Sequence, residues 1–359
     1  MTFPVWIEQR TSSPGALALV PPLLAVLATV VASAAVLTSL GVPITDALYY
    51  LYLSPFASRF NIGEVLLKMA PLLLIAQALA IGFRARIWNI GAEGQLILGA
   101  IGGSLLPVLF NESSNPFMII GMALIGMGFG MAWAAIAAFL RASLNANEIL
   151  VTLMLNSIAL QLLYYLVSGP MRDPFGFNFP QSALFPDVAM LPTLLGGTRA
   201  NVSLFVGIVA TLFAWTLTHR SFAGFKLRVG GLAPGAAQYA GFSERRAVWL
   251  ALLVGGGAAG LAGVFEVAGP LGQLQRVVTP GYGFAAIIVA FLGGLRPLGI
   301  LAASFFMAVV YVGGDIAQTA ANVPHSVNLL LQGILLTTYV ACRVVTDFRL
   351  TWRRARSVA

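Results

Sequence analysis

The run Gly82 to Leu98 carries Asn89, Glu93 and Gln95 inside a sequence that is otherwise built for lipid. Burying polar and ionisable side chains in hydrocarbon is costly, so a membrane segment that keeps them usually faces a pathway or a cavity. Asn89 and Glu93 are four residues apart, which in a helix would place them one turn apart on one face. These three residues are therefore candidates for hydrogen bonds to a polar solute.

A second polar stripe lies further along the chain. Glu148, Thr152 and Asn156 recur at every fourth residue, and Tyr164 follows in the same apolar stretch. Hydroxyl and amide groups on one helix face could hydrogen-bond sugar hydroxyls or a base edge, and an aromatic ring could supply a flat apolar wall. The alternative is structural, because such groups often only join helices and a glutamate can stabilise a helix start.

Glu266 is the third ionisable candidate for a solute pathway, and Phe284 is a further aromatic ring that could form a pathway wall. An acidic residue within a membrane segment is a functional-site hypothesis by default. The structural alternative for Glu266 is an ion pair with Arg276.

The sequence argues against several kinds of chemistry. Two His and one Cys give no zinc ligand set and no disulfide framework. A phosphate-binding loop needs Gly-Lys-Ser or Gly-Lys-Thr, but the two lysines, Lys68 and Lys226, follow leucine and phenylalanine. We therefore expect no catalytic residue, no metal and no cofactor in this chain, and we expect that it is not an enzyme.

The elements that must position these residues are membrane helices. Of the 359 residues, 59% are hydrophobic and 9% are charged, and a bilayer core needs about 20 mostly apolar residues per helix. The apolar runs predict an all-α polytopic membrane protein with about ten transmembrane helices. The predicted spans lie near 17–40, 62–83, 87–109, 117–140, 147–168, 201–218, 247–266, 280–295, 298–314 and 326–345. For the span near 280–295, a re-entrant half-helix is the alternative.

The distribution of Lys and Arg predicts that both termini are cytoplasmic. With the N-terminus inside, only five of the 20 basic residues fall on the outer side: Arg59, Lys68, Arg172, Arg199 and Arg276. This is the bias described by the positive-inside rule. The net charge of +8 is therefore topological, and its scatter over many short loops without interleaved aromatic residues argues against nucleic-acid binding.

The prediction divides the chain into a cytoplasmic N-terminus (1–16), a transmembrane domain (17–345) and a basic cytoplasmic tail (346–359). Within the transmembrane domain, the outer loop 169–200 carries five prolines, whose spacing forbids a helix longer than about one turn. This loop is either a docking surface for an external protein or a lid that shields helix ends.

The inner loop 219–246 is predicted to contain a short helix. Gly230 and Gly231 are expected to break the chain before it, Pro234 suits its first position, and Gly241 can close it. The helix would comprise Pro234, Gly235, Ala236, Ala237, Gln238 and Tyr239. Such a helix between two spans suits a membrane subunit on which another protein must push, and a basic loop without that role is the alternative.

A repeated pattern suggests an inverted repeat. Gly-Gly followed by Pro occurs near the end of the third predicted span (102–107) and again at the end of the eighth (293–297). The predicted topology gives these two spans opposite directions. Inverted repeats of this kind are common in transporters.

Four motifs, in order along the chain, resemble those of permease subunits in the nucleoside and simple-sugar branch of ABC importers. GFRARIWNIGAEGQLILGA is similar to the branch's Phe-Asn-Ile-Gly-x-Glu-Gly-Gln signature, and Asn147 to Asn156 is similar to its second signature. Leu227 to Phe242 resembles its coupling-helix segment. The late motif of the branch is matched by Thr279 to Phe284 together with Ala286 to Gly299. The resemblance covers roughly Gly63 to Gln332.

The chain departs from the branch at several positions. Trp88 stands where Phe or Leu is usual, and Ala233 stands where Asn is expected before the coupling helix. The absence of Asn removes a helix cap typically worth about 1 kcal/mol. Gly235 and Gln238 replace residues that are usually charged, which suggests a fit to a particular ATPase partner.

The resemblance implies a multi-pass subunit of an importer in the cytoplasmic (inner) membrane of a prokaryote. It implies pairing with a second homologous permease chain as a heterodimer, with ABC ATPase subunits that bind ATP and Mg, and with an external or lipoprotein solute-binding protein. Alternating access would then move nucleosides, the solute class favoured because the first two motifs match the nucleoside-like arm. The alternatives are a permease for a simple sugar or another solute, and a secondary transporter that works without ATP and uses Glu93 or Glu266 as proton carrier.

Overall fold

The computed structural model describes the backbone of residues 5–9, 20–324 and 326–352, and nearly all of it is helical. The α-helices are α1 (Val20–Ser39), α2 (Ile44–Leu48), α3 (Arg59–Arg84), α4 (Ala92–Leu109), α5 (Met118–Leu144), α6 (Glu148–Ser168), α7 (Ser203–Arg220), α8 (Phe222–Leu232), α9 (Pro234–Tyr239), α10 (Glu244–Glu266), α11 (Tyr282–Leu292), α12 (Pro297–Ala321) and α13 (Ser326–Asp347). Two short strands, β1 (Val5–Gln9) and β2 (Phe348–Trp352), pair antiparallel and are the exception to the all-α prediction.

Each of the ten predicted spans corresponds to a helix. Eight helices of the described chain are long and apolar enough to cross a membrane. The other two predicted spans correspond to α13 and to α11, which has 11 residues and is too short to cross, as the half-helix alternative anticipates. Residues 17–19 of the first predicted span, 1–4 and 10–16 of the predicted N-terminus and 353–359 of the predicted tail lie outside the described residues.

The chain forms two compact units. One comprises residues 54–312, and the other comprises residues 1–53 together with 313–359. In the second of these units a hydrophobic cluster includes Leu37, Leu51, Ala317 and Leu331, all of them buried. All the candidate pathway and coupling residues belong to the first unit.

Glycines allow α4, α5 and α10 to pack with their backbones in contact. A Cβ added at Gly99 would collide with the backbone of Gly260, and one at Gly130 would collide with the carbonyl oxygen of Gly256. Gly126 of α5 is in a similar position, because a Cβ there would meet the carbonyl oxygen of Gly99 on α4. Because lipid supplies no hydrophobic drive between helices, membrane helices associate through close contacts of this kind.

Helix α3 is almost entirely buried and provides the centre of the larger unit. The side chain of Gln77 donates to Thr211 Oγ1 on α7 at 3.0 Å and to the Pro297 carbonyl at the start of α12 at 2.9 Å. These two bonds use both N–H donors of the Gln77 amide. One polar side chain therefore links α3 to two neighbouring helices.

The third predicted span begins later than expected. Its helix, α4, starts at Ala92, and residues 87–90 are not helical. The Gly-Gly-Pro pattern also differs locally between its two occurrences, because Gly102 and Gly103 lie inside α4 whereas Gly293 and Gly294 lie between α11 and α12. The inverted repeat stays a prediction.

The outer loop contains no α-helix within residues 169–202, and its one 3₁₀ turn is Asp187–Ala189, as the proline spacing predicts. Its backbone is hydrogen-bonded to the segment that follows α10. Ser182 N donates to the Leu274 carbonyl at 2.8 Å, Phe185 N to the Gly272 carbonyl at 2.9 Å, and Leu191 N to Ala268 at 2.7 Å. The loop is therefore an integral part of the larger unit.

The prediction that Gly230 and Gly231 break the chain is wrong, because both lie within α8. Gly231 is needed for packing instead: a Cβ there would collide with the carbonyl oxygen of Arg84 at the end of α3. The helix ends one residue later at Leu232, and the backbone angles of the next residue, Ala233 (φ −143°, ψ 75°), are not helical.

Candidate functional site

Side chains of α6 form hydrogen bonds with the backbone of the non-helical segment before α4 and with the first turn of α4. Thr152 Oγ1 accepts from Ile90 N at 3.3 Å, and Asn156 Oδ1 accepts from Gly94 N at 2.9 Å. Asn156 Nδ2 in turn donates to the Ile90 carbonyl at 2.9 Å. Irregular backbone at membrane depth is tolerated only where it is buried in protein or lines a cavity, and the polar stripe of α6 supplies the partners it needs.

Asn89 and Gln95 form a buried pair with their amides face to face. Asn89 Nδ2 donates to Gln95 Oε1 at 2.9 Å, and Gln95 Nε2 donates to Asn89 Oδ1 at 3.1 Å. Asn89 Oδ1 also accepts from Gly91 N at 3.0 Å, which forms a local turn. The expectation that Asn89 and Glu93 share a helix face is wrong, because Asn89 precedes the helix.

Glu93 lies in the first turn of α4 and joins that helix to the start of α11. Its side chain is buried, and Oε2 accepts from Gly283 N at 2.7 Å. A Cβ at Gly283 would collide with the backbone of Glu93, so the two helix starts are in direct contact. A carboxylate at a helix N-terminus is electrostatically favourable.

A cavity of about 330 Å³ lies beside this junction. Its walls come from α4, α6, the segment leading into α11 and α11 itself: Glu93, Ile97, Asn156, Ser157, Leu160, Leu163, Tyr164, Arg276, Val277, Val278, Thr279 and Phe284. The structure therefore brings together four of the eight pathway candidates, namely Glu93, Asn156, Tyr164 and Phe284. Small-molecule sites typically have volumes of about 300 to 1,000 Å³ with mostly apolar walls and a few polar groups.

Glu266 does not line this cavity. It is buried at the end of α10, where the nearby charged groups are Lys68, Arg199 and Glu64. Arg276, its proposed structural partner, instead lies over the ring of Tyr164 with 5.5 Å between the guanidinium carbon and the ring centroid.

Glu64 and Arg199 form a two-pronged ion pair between α3 and the end of the outer loop. Arg199 Nε donates to Glu64 Oε1 at 2.8 Å, and Arg199 Nη2 donates to Glu64 Oε2 at 2.5 Å. The pKa of Arg199 is raised, first by the hydrogen bond from its guanidinium to Glu64, so the guanidinium stays charged. The sequence analysis missed Glu64, although an acidic residue in a predicted span was the available signal.

Three further polar residues of the cavity were not singled out as pathway candidates. Ser157 is an exposed hydroxyl next to Asn156, and Arg276 and Thr279 precede α11. Thr279 Oγ1 accepts from Gly281 N at 3.1 Å and from Tyr282 N, the first residue of α11, at 3.0 Å. Its place in the late motif was a usable signal, but nothing in the spacing of Arg276 predicts that it lies beside Tyr164.

The short inner helix has the bounds that the sequence predicts. α9 runs from Pro234 to Tyr239 with Pro at its first turn and no side-chain cap from Ala233. Ala237 is buried, while Tyr239 is 98% exposed. Gly241 has φ +77°, a left-handed conformation that suits glycine after a helix, and Phe242 N donates to the Ala237 carbonyl at 2.9 Å. The helix presents Pro234, Gly235, Ala236, Gln238 and Tyr239 to its surroundings.

Aromatic residues of α8 support this inner surface. Phe222, Phe225 and Phe242 contact one another with ring centroids 6.0 to 6.2 Å apart. Lys226 Nζ lies 4.5 Å from the centroid of Phe222, a cation–π distance. The cluster connects α8 to the chain that follows α9.

Comparison with known proteins identifies the family to which this chain belongs. The family described as "Branched-chain amino acid transport system / permease component" matches residues 61–340. This chain belongs to that family of permease components, which are multi-pass membrane proteins and transport components rather than enzymes.

Named relatives cover nearly the whole chain. The glucose ABC transporter permease protein of Haloferax volcanii is 33% identical, over 97% of this chain and 94% of that protein. The guanosine ABC transporter permease protein of Bacillus subtilis is 28% identical, over 89% of this chain and 92% of that protein. The nucleoside ABC transporter permease protein of Lactococcus lactis is 29% identical, over 85% of both chains. The resemblance drawn from the four motifs is confirmed.

Proposed function

We propose that this chain is the transmembrane permease subunit of an ATP-driven importer that carries nucleosides or related sugar-like solutes across the cytoplasmic membrane of a prokaryote. The observation that carries the proposal is the cavity of about 330 Å³ that gathers Glu93, Asn156, Tyr164 and Phe284. Its size and its mixture of apolar and polar walls fit a small polar ring solute.

Nucleosides are the solute class we favour. Tyr164 and Phe284 give the cavity aromatic surface, and the Phe284 side chain is 43% exposed. A nucleobase can stack its π-face on such rings, whereas a simple sugar offers them only C–H groups. Relatives named for guanosine and for nucleosides support this choice, and the relative named for glucose keeps a simple sugar as the alternative.

The partners follow from the two exposed surfaces. ABC ATPase subunits would hold ATP and Mg and would dock on α9. Tyr239 is the large aromatic side chain on the exposed face of this helix. A solute-binding protein would approach the outer loop, which is hydrogen-bonded to the segment leading to the cavity. A second homologous permease chain would complete the pathway, and alternating access would move the solute between the two sides.

The cavity and α9 are connected through the ends of packed helices. Arg141 at the end of α5 lies 3.3 Å from Glu148 of α6 and 3.2 Å from Glu244 of α10. α10 begins five residues after α9 ends, and α6 carries the cavity residues Asn156 and Tyr164. A displacement of α9 would therefore be transmitted to the cavity wall through α10 and α6.

Substitution of Tyr239 tests the proposal. Tyr239→Ala should leave the chain folded and weaken co-purification of the ATPase, and it should lower ATP-dependent nucleoside uptake at least about tenfold if one buried aromatic anchor is lost. Tyr165→Ala is the matched control, because Tyr165 is 68% exposed on α6 and lies far from the inner loop in sequence. Equal effects of the two substitutions would overturn the docking role of α9, and uptake without any ATPase would favour a secondary transporter.

A further inference from the structure

Arg276 is held in a fixed position at the edge of the cavity. Its guanidinium lies 5.5 Å from the centre of the Tyr164 ring, and Nη2 donates to Ser168 Oγ at 3.3 Å. Both partners belong to α6, so the charged group is anchored to the helix that forms one cavity wall. The side chain is nevertheless exposed, which leaves most of its five N–H donors available.

Two other polar residues of the cavity, Asn156 and Glu93, are hydrogen-bonded to the protein. Asn156 uses its amide oxygen for Gly94 N and its amide nitrogen for the Ile90 carbonyl. Glu93 is only 8% exposed and accepts from Gly283 N at the start of α11. Neither group is free to dominate recognition of a solute.

Among the residues that line the cavity, Arg276 carries the one positive charge and Glu93 the one negative charge. Because Glu93 is buried against a helix N-terminus and Arg276 is exposed, Arg276 is the charged group that a solute in the cavity would meet. A guanidinium donates hydrogen bonds and accepts none. It therefore favours solutes rich in carbonyl and hydroxyl oxygens, whether neutral or anionic, and disfavours cations.

We infer that Arg276 is the specificity-determining residue of the cavity, selecting acceptor-rich neutral or anionic ring solutes and excluding cationic ones. The inference rests on the proposed function in one respect, namely that the cavity lies on the solute's route. Tyr164 has a positioning role, since its ring lies at a cation–π distance from the guanidinium.

The charge of the cavity can be measured without transport. In full-length protein in membrane vesicles, Cys342→Ser removes the one cysteine of the chain, and Ser157→Cys places a reporter thiol on the cavity wall. The probes are two methanethiosulfonates of similar size, one with a sulfonate tail and one with a trimethylammonium tail. The ratio of their reaction rates reports the local potential, because any change in the thiol's own reactivity affects both rates equally.

The anionic probe should react faster relative to the cationic probe in the reporter protein, and Arg276→Gln should lower that ratio by about tenfold, as expected for a unit charge acting within a partly screened cavity. Arg276→Lys should keep most of the ratio because it keeps the charge. Arg172→Gln is the matched control, since Arg172 bonds Asn178 in the outer loop and does not line the cavity.

An unchanged ratio in Arg276→Gln, or an equal change in Arg172→Gln, would overturn the inference. If the thiol at 157 reacts with neither probe, the same comparison at Val277→Cys decides, because Val277 is 66% exposed and lines the same cavity. The measurement needs no ATPase and no uptake. A charge-selective cavity in a protein that moves no solute would thus contradict the proposed function alone.

Discussion

Asn156 satisfies two backbone groups at the break before α4. Its amide joins the Ile90 carbonyl and Gly94 N across the break before α4. A buried polar group that loses its partner retains the full cost of its desolvation. At the residue scale, the polar stripe of α6 therefore holds the irregular segment in place, and its contact with solute stays a prediction.

Removing the amide should destabilise the protein. Asn156→Ala leaves a carbonyl and an N–H unpaired, so we expect the free energy of unfolding to fall by about 1–3 kcal/mol for each group. Thermal unfolding of the purified chain in detergent checks this. Ser157→Ala, one residue along the same helix, is the matched control and should change little; an equally stable Asn156→Ala protein would contradict the role assigned to the amide.

The polar and aromatic residues of the cavity could be identified from the sequence, but the hydrogen bonds that they form could not. The prediction for Asn89 assumed that the helix continued through residues 87–91, since the apolar run gives no sign of a break. The break depends on side chains of α6 more than 60 residues away in sequence, as the 62-residue separation of Ile90 and Thr152 shows. Such long-range partners have no periodic signal in the local sequence.

At the scale of elements, glycine contacts set how α4, α5 and α10 pack. Gly99, Gly126, Gly130, Gly256 and Gly260 meet with too little room for a Cβ. The glycines were visible in the sequence, but their periodicity alone did not indicate which helices would meet. The α9 helix, by contrast, was predictable because Pro234 and Gly241 act locally, through fixed φ and the left-handed conformation.

A single methyl group should disturb this packing. Gly130→Ala places a Cβ against the carbonyl oxygen of Gly256, and overpacking of this kind typically costs about 1–3 kcal/mol. We expect a lower yield of folded protein and a lower unfolding temperature. Gly128→Ala is the control on the same helix, because a Cβ there has no neighbour within 4 Å. If both variants unfold alike, helix propensity rather than packing controls this site.

At the scale of the larger unit, the Glu64–Arg199 pair ties the outer loop to α3. The raised pKa of Arg199 has the hydrogen bond to Glu64 as its largest cause. A group whose pKa is raised on folding contributes stability that is present below its unfolded value and lost only at higher pH. The tie should therefore hold unchanged between about pH 7 and 9.

Reversing the charges tests this tie. Arg199→Glu and Glu64→Arg should each increase cleavage of the outer loop by protease, because each places like charges at the contact. The double exchange should restore part of the protection, since Arg199 is 53% exposed and solvent screens the pair. Arg172→Glu controls for charge change elsewhere in the loop. A double variant no better protected than the single variants would contradict the direct pairing.

Composition and charge predicted the class of the whole molecule. Each of the ten apolar runs corresponds to a helix. Four ordered motifs identified the family, and the comparisons confirm it. The two short strands were not predicted, since β1 and β2 pair across almost the whole chain length. The orientation of the termini stays a prediction that rests on the distribution of Lys and Arg.

The central claim is that this chain is the membrane path of an ATP-driven importer. Its most direct test is uptake of labelled nucleosides by vesicles that contain the chain, its ATPase, the second permease and the binding protein. We expect uptake to require ATP and to be abolished by deletion of Pro234–Tyr239, with the assembled permease pair retained. Uptake that persists without ATP, or that is unaffected by the deletion, would contradict the account.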